Sequence, residues 1–66
     1  MTPDNIIAGN EYAYGRQRCR VAGMIRHLPV GQDLVAFEVL TGPQAGQWFA
    51  CSINFFCVRY EPVEEG

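Results

Sequence analysis

Leu34-Val35-Ala36-Phe37-Glu38-Val39-Leu40 is the longest apolar run of the chain, and it holds a single charge. Glycine-bearing turns flank it: Pro29-Val30-Gly31-Gln32-Asp33 before, Gly42-Pro43-Gln44-Ala45-Gly46 after. A short run rich in β-branched and aromatic residues between turn signals reads as a strand. Two turns of hairpin length make it the middle of three antiparallel strands. The strand before it, 18–28, alternates: Cys19, Val21, Gly23 and Ile25 on one face, Arg18, Arg20, Ala22, Met24 and Arg26 on the other. Period-two alternation marks a half-buried strand. Gly23 within it signals a bend, a bulge or a close approach by another strand. Pairing Leu28 with Leu34 sets Ile25 opposite Phe37 and Met24 opposite Glu38. On the other side, 47–52 reads as a strand with Trp48 opposite Leu40, Phe49 opposite Val39 and Cys51 opposite Phe37. Both hairpins then give one apolar face: Cys19, Val21, Ile25, Val35, Phe37, Val39, Phe49 and Cys51.

Further out, Glu11-Tyr12-Ala13-Tyr14 reads as a first strand within 10–15. Residues 1–9 read as an arm whose Pro3, Asp4, Asn5 and Gly9 favour turns. Ser52-Ile53-Asn54-Phe55-Phe56 breaks the alternation and reads as one 3-10 turn. Residues 57–60 read as a short fifth strand, ended by Pro62, and 63–66 as an acidic tail. The expected fold is all-β: a single five-stranded barrel over 10–62, with a 3-10 turn before the last strand.

At 66 residues this is one domain, and a chain of ~60 residues buries only ~60% of the surface its unfolded form exposes. With 48% hydrophobic residues the composition is globular rather than disordered. A net charge of −2 argues against general attraction to nucleic acid or anionic membranes. All basic residues are arginine: Arg16, Arg18, Arg20, Arg26 and Arg59. Residues 1–9 show neither the positive stretch nor the apolar core of a secretory leader, and no run approaches the ~20 apolar residues of a membrane span. The expected location is the cytoplasm, of a bacterium or a phage-infected cell. Cys19, Cys51 and Cys57 are an odd set that suggests no disulfide framework. With His27 the only histidine, no metal or cofactor is expected, and the thiols read as small hydrophobes.

Five short strands, three in a meander, with a 3-10 turn before the last, resemble the SH3-like small barrels, including Tudor-like and KOW-type modules. Val39-Leu40-Thr41-Gly42-Pro43-Gln44-Ala45-Gly46 is similar to the strand-into-Gly-Pro-x-x-Gly core of a KOW segment. The further glycine and the basic residues of KOW segments are missing, so RNA binding does not carry over. The chain also lacks the acidic loop of proline-peptide-binding SH3 domains. Its size resembles the plasmid-borne dihydrofolate reductases, tetramers of small barrels around an active pore. Their Val-Gln-Ile-Tyr signature is absent, and Cys51-Ser52-Ile53-Asn54 stands near that place.

The second face of the expected meander is not simply polar. Met24, Leu40 and Trp48 gather on it, with Arg20, Arg26 and Glu38 at the rim. An apolar patch rimmed by charge suits a protein interface, and Trp and Arg are typical of its energetic centres. The expected function is therefore a non-enzymatic binding or oligomerising module, self or another protein being the partner. An accessory protein of a phage or mobile element fits this size. One alternative is nucleic-acid binding through Arg18, Arg20 and Arg26; a more distant one is an oligomeric-pore enzyme of the kind the resemblance to the plasmid-borne reductases implies. No catalytic constellation is legible. His27 stands alone near a turn, Cys19 and Cys51 are expected inward, and Cys57 is expected outward beside Arg59.

Overall fold

The computed structural model describes residues 1–26, 29 and 33–63. His27, Leu28 and so its expected pairing with Leu34, the middle of the 29–33 turn, and the acidic tail beyond Val63 lie outside the described residues.

Five strands form one antiparallel sheet: β1 (Glu11–Tyr14), β2 (Gln17–Ile25), β3 (Leu34–Val39), β4 (Trp48–Ser52) and β5 (Glu61–Pro62). Their order is β4-β3-β2-β1-β5, and among the described residues β4 and β5 are not joined. The all-β expectation holds, with β3 inside the meander; the sheet is not closed into a barrel. A helix, α1 (Ile53–Arg59), links β4 to β5.

The structure changes the expected β2–β3 register. Cys19 faces Val39, Arg20 faces Glu38 and Val21 faces Phe37, so Val21 and Arg20 take the places expected for Ile25 and Met24. Between Val21 and Gly23 the ladder shifts, so that Gly23 faces Ala36, Met24 faces Val35 and Ile25 faces Leu34. The extra residue of a bulge turns the rest of the strand over. Met24 therefore joins the core side, packed beside fully buried Val35, and Ile25 is half exposed. Gly23 does mark a bulge, but not a close approach: nothing lies within 4 Å of where its Cβ would stand.

In the second hairpin Trp48 faces Glu38 rather than Leu40, and Phe49 faces Phe37. The expected register is off by two residues, which leaves the faces unchanged. The cause is the tight loop. Gly46 N–H donates to the Val39 carbonyl (2.8 Å) and Val39 N–H to the Gln47 carbonyl (2.9 Å). Gly42 and Gly46 adopt φ of 81° and 88°, a region that side chains disfavour.

Residues 53–59 are helical, not a 3-10 turn followed by a strand. The Ser52 side chain caps the helix, accepting from Phe55 N–H at 3.1 Å. Ile53, Phe56, Cys57 and Tyr60 follow at i, i+3, i+4 and i+7, and this stripe lies on the sheet. The last strand is displaced to the two residues Glu61 and Pro62, opposite Ala13 and Tyr12.

The core lies between one face of the sheet and α1. It comprises Ile6, Tyr12, Cys19, Val21, Val35, Phe37, Val39, Ile53, Phe56 and Tyr60. Phe56 and Tyr60 stack at 4.4 Å between ring centres, and Phe37 lies 5.6 Å from each. The N-terminal segment is tied down. The Tyr12 hydroxyl donates to the Asn5 carbonyl and accepts from Ile7 N–H (2.8 Å). A 3-10 turn at Pro3–Asn5 then seats Ile6 in the core.

Candidate functional site

With α1 and Ile6 on one side, the other side of the sheet carries no secondary structure among the described residues. Cross-strand neighbours share a face, so the register lays this open face out in rows. The first row is Glu11, Arg20, Glu38 and Trp48. The second holds Ala36 and Ala50, and the third Ile25, Leu34 and Ser52. Leu40 continues β3 beyond Glu38 on the same side; its N–H donates to the Arg18 carbonyl at 2.8 Å. Trp48, the only tryptophan, is 62% exposed. A shallow apolar floor of two alanines thus runs from Trp48 to Ile25.

The structure brings together four of the six residues expected at a partner surface: Arg20, Glu38, Leu40 and Trp48. Met24 is a correction, since the bulge sends it to the core side. Arg26 is another. It follows the end of β2, at the opposite end of the sheet from Trp48, with its Nη2 3.6 Å from the Met24 sulfur. Of the two rim arginines, Arg20 is the one that stands opposite Glu38. The arginine stripe divides accordingly. Arg18 and Arg20 stay on one face, while Arg26 stands apart. Arg20 also meets the Glu11 carboxylate at 3.6 Å, a solvated pair that contributes little stability but offsets its charge.

A second feature was missed by sequence reasoning. On the core side, between β4 and α1, Tyr14, Phe37, Phe49, Phe55 and Tyr60 line a groove of about 320 Å³. Arg59 closes it: its guanidinium sits 4.9 Å from the centre of the Phe55 ring, and Nη1 donates to the Tyr14 hydroxyl at 3.2 Å. The signal lay in the helical spacing of Ile53, Phe56, Cys57 and Tyr60, which a strand reading of 57–60 conceals.

The thiols are free. Burial pushes the Cys19 thiol up to about 11 from an ordinary 9.0, against a hydrogen bond with the Tyr12 backbone that lowers it. Burial raises Cys51 too. Cys57, expected outward, is partly buried against the core, and its carbonyl accepts from the Met1 ammonium at 3.1 Å. Among the described residues no cluster of His, Cys, Asp and Glu is arranged to hold a metal, and no helix is long and apolar enough to cross a membrane.

The chain matches no protein-family model, no curated protein and no solved structure.

Proposed function

We propose that this protein is a small non-enzymatic module that works through protein–protein contacts, made by the open sheet face around Leu40 and Trp48. The observation that carries this reading is Trp48, 62% exposed on a sheet face that the described chain leaves bare. Arg20 and Glu38 supply the charged rim, and Ala36 and Ala50 keep the floor flat enough for a partner's side chains. The strand order and the helical link before β5 also support an SH3-like barrel architecture, here with β4 and β5 held apart. The arginine alternative draws less from the geometry, because Arg26 stands apart and Arg20 is paired with Glu11.

The test compares wild type with Trp48→Ala, each immobilised as the full chain, for retention of protein partners and of the free chain itself. Wild type retains a protein, and Trp48→Ala weakens that retention at least tenfold while circular dichroism and thermal midpoint stay unchanged. Retention indifferent to Trp48→Ala contradicts the reading. So does affinity for DNA or RNA that falls steeply with salt and is lost with Arg18→Ala and Arg20→Ala.

A further inference from the structure

The two edges of the sheet are built differently. At the β5 edge, Val63 N–H donates to the Glu11 carbonyl at 3.1 Å. Bonded pairs alternate along an antiparallel ladder, so Pro62, opposite Tyr12, is the residue whose backbone turns outward. Its nitrogen has no hydrogen to offer. That edge is two residues long, carries Glu61 and ends on proline, which are the usual devices against strand addition.

The β4 edge has none of them. Trp48-Phe49-Ala50-Cys51-Ser52 has no charge and no proline. Val39 N–H donates to the Gln47 carbonyl, and Ile53 N–H to the Asp33 carbonyl at 3.0 Å. The pairs Phe37–Phe49 and Val35–Cys51 fall in phase with these two bonds. Phe49 and Cys51 therefore spend their backbone groups on β3, while Trp48 and Ala50 point theirs away from the sheet. Among the described residues, no backbone bond outside the ladder engages Trp48 or Ala50. Both residues are exposed.

We propose that a second copy of this chain occupies the β4 edge, β4 pairing antiparallel with β4 about a two-fold axis at Ala50. This rests on the protein-contact reading above through Trp48, which borders both the open face and this edge, and it makes a second copy the partner. The phase of the ladder is self-complementary. Ala50 faces Ala50 as a bonded pair, exchanging both N–H···O bonds, and Trp48 faces Ser52 of the second copy on either side. The axis stands perpendicular to the sheet, so both open faces lie on one side and both α1 helices on the other. Each Trp48 then lies diagonal to the other copy's Ala50, where a small residue leaves room for the indole. On the helix side each Phe49 meets the other copy's Cys51. Large aromatic side chains carry ~150–250 Å². At 62% and 38% exposed, Trp48 and Phe49 of two copies supply on the order of 450 Å², nearly half of the ~1,000 Å² a specific interface needs. The strand backbones and their flanks supply the remainder. The product is a continuous ten-strand sheet whose two outer edges are both the proline-bearing β5, so growth stops at two copies.

Sedimentation velocity of the full chain under reducing conditions, from low micromolar to millimolar concentration, tests this. The expected result is a monomer of 7.4 kDa passing to a species of twice that mass and no larger one. Ala50→Pro removes an outward N–H that β3 does not use, and is expected to raise the dissociation constant at least tenfold with the circular dichroism spectrum kept. Ala50→Lys, which sets two like charges across the axis, is expected to do the same and serves if the proline variant fails to fold. Glu61→Lys at the opposite edge is expected to change nothing. A chain that stays monomeric throughout overturns the proposal. So does a dimer insensitive to Ala50→Lys. If a different protein is retained through Trp48 while the chain stays monomeric, the second-copy proposal falls and the protein-contact reading stands. If nothing is retained, both fall.

Discussion

Phe56 is the residue on which the interior turns. It is fully buried, 4.4 Å from Tyr60 in a stack, 5.6 Å from Phe37 and 5.4 Å from Tyr12 in an edge-on contact. Removing such a ring costs about 3–5 kcal/mol. A chain of 66 residues has roughly 3–10 kcal/mol in total. Phe56→Ala is therefore expected to leave the protein largely unfolded, read as lost near-UV dichroism at 25 °C. Cys19 gives a second expectation. Its thiol titrates near 11 in the fold, mainly because burial disfavours the thiolate, against 9.0 when free. A raised value in the fold means that the contribution is intact below pH 9 and is lost as pH rises toward 11. Burial raises Cys51 and Tyr60 in the same direction. The urea midpoint is expected to fall between pH 7 and pH 10.5, and Cys19→Ala to shrink that fall while lowering the midpoint at pH 7. An unchanged wild-type midpoint would contradict the burial of these groups.

At the scale of elements, β1, β3 and β4 were legible because alternation and glycine turns mark them directly. The bulge was legible as a glycine but not in its consequence. A strand's faces depend on counting residues in twos, and one uncounted residue exchanged Ile25 for Met24. α1 was misread because Ser52, Ile53 and Phe56 suit either a short turn or a longer helix. Only Tyr60, four residues after Phe56, decides between them by completing the buried stripe, and Val58 at 81% exposed is poorly placed for a strand of this core. The candidate site was legible in Leu40, Trp48, Glu38 and Arg20, which share β3 parity or its immediate partners. Met24 and Arg26 lay beyond the bulge and were lost with it. Two substitutions probe these elements. Ser52→Ala removes the cap that holds Phe55 N–H and is expected to cost about 1 kcal/mol in urea unfolding. Gly23→Ala places a methyl where nothing lies within 4 Å. It is expected to stabilise by about 0.5 kcal/mol, through the smaller freedom of the unfolded chain. A loss there would mean that the bulge needs glycine for more than flexibility.

For the whole molecule, α1 lies on one side of the sheet, and the other side carries no secondary structure among the described residues. The core fills the helix side with aromatic stacking, and the N-terminal segment closes one end through the Tyr12 hydroxyl. The opposite side is alanine-floored and bordered by Trp48. That division follows from β3 itself. Val35, Phe37 and Val39 serve the core, while Leu34, Ala36, Glu38 and Leu40 face outward along the same strand. Because Trp48 is the only tryptophan, its emission reports this surface alone. The most direct measurement is acrylamide quenching of Trp48 fluorescence, first in the dilute monomer and then with rising concentration or added partner. The expected result is red-shifted, readily quenched emission when dilute, turning blue-shifted and protected on association. Emission already blue-shifted and protected in the dilute monomer would place Trp48 inside its own fold and contradict the open contact face.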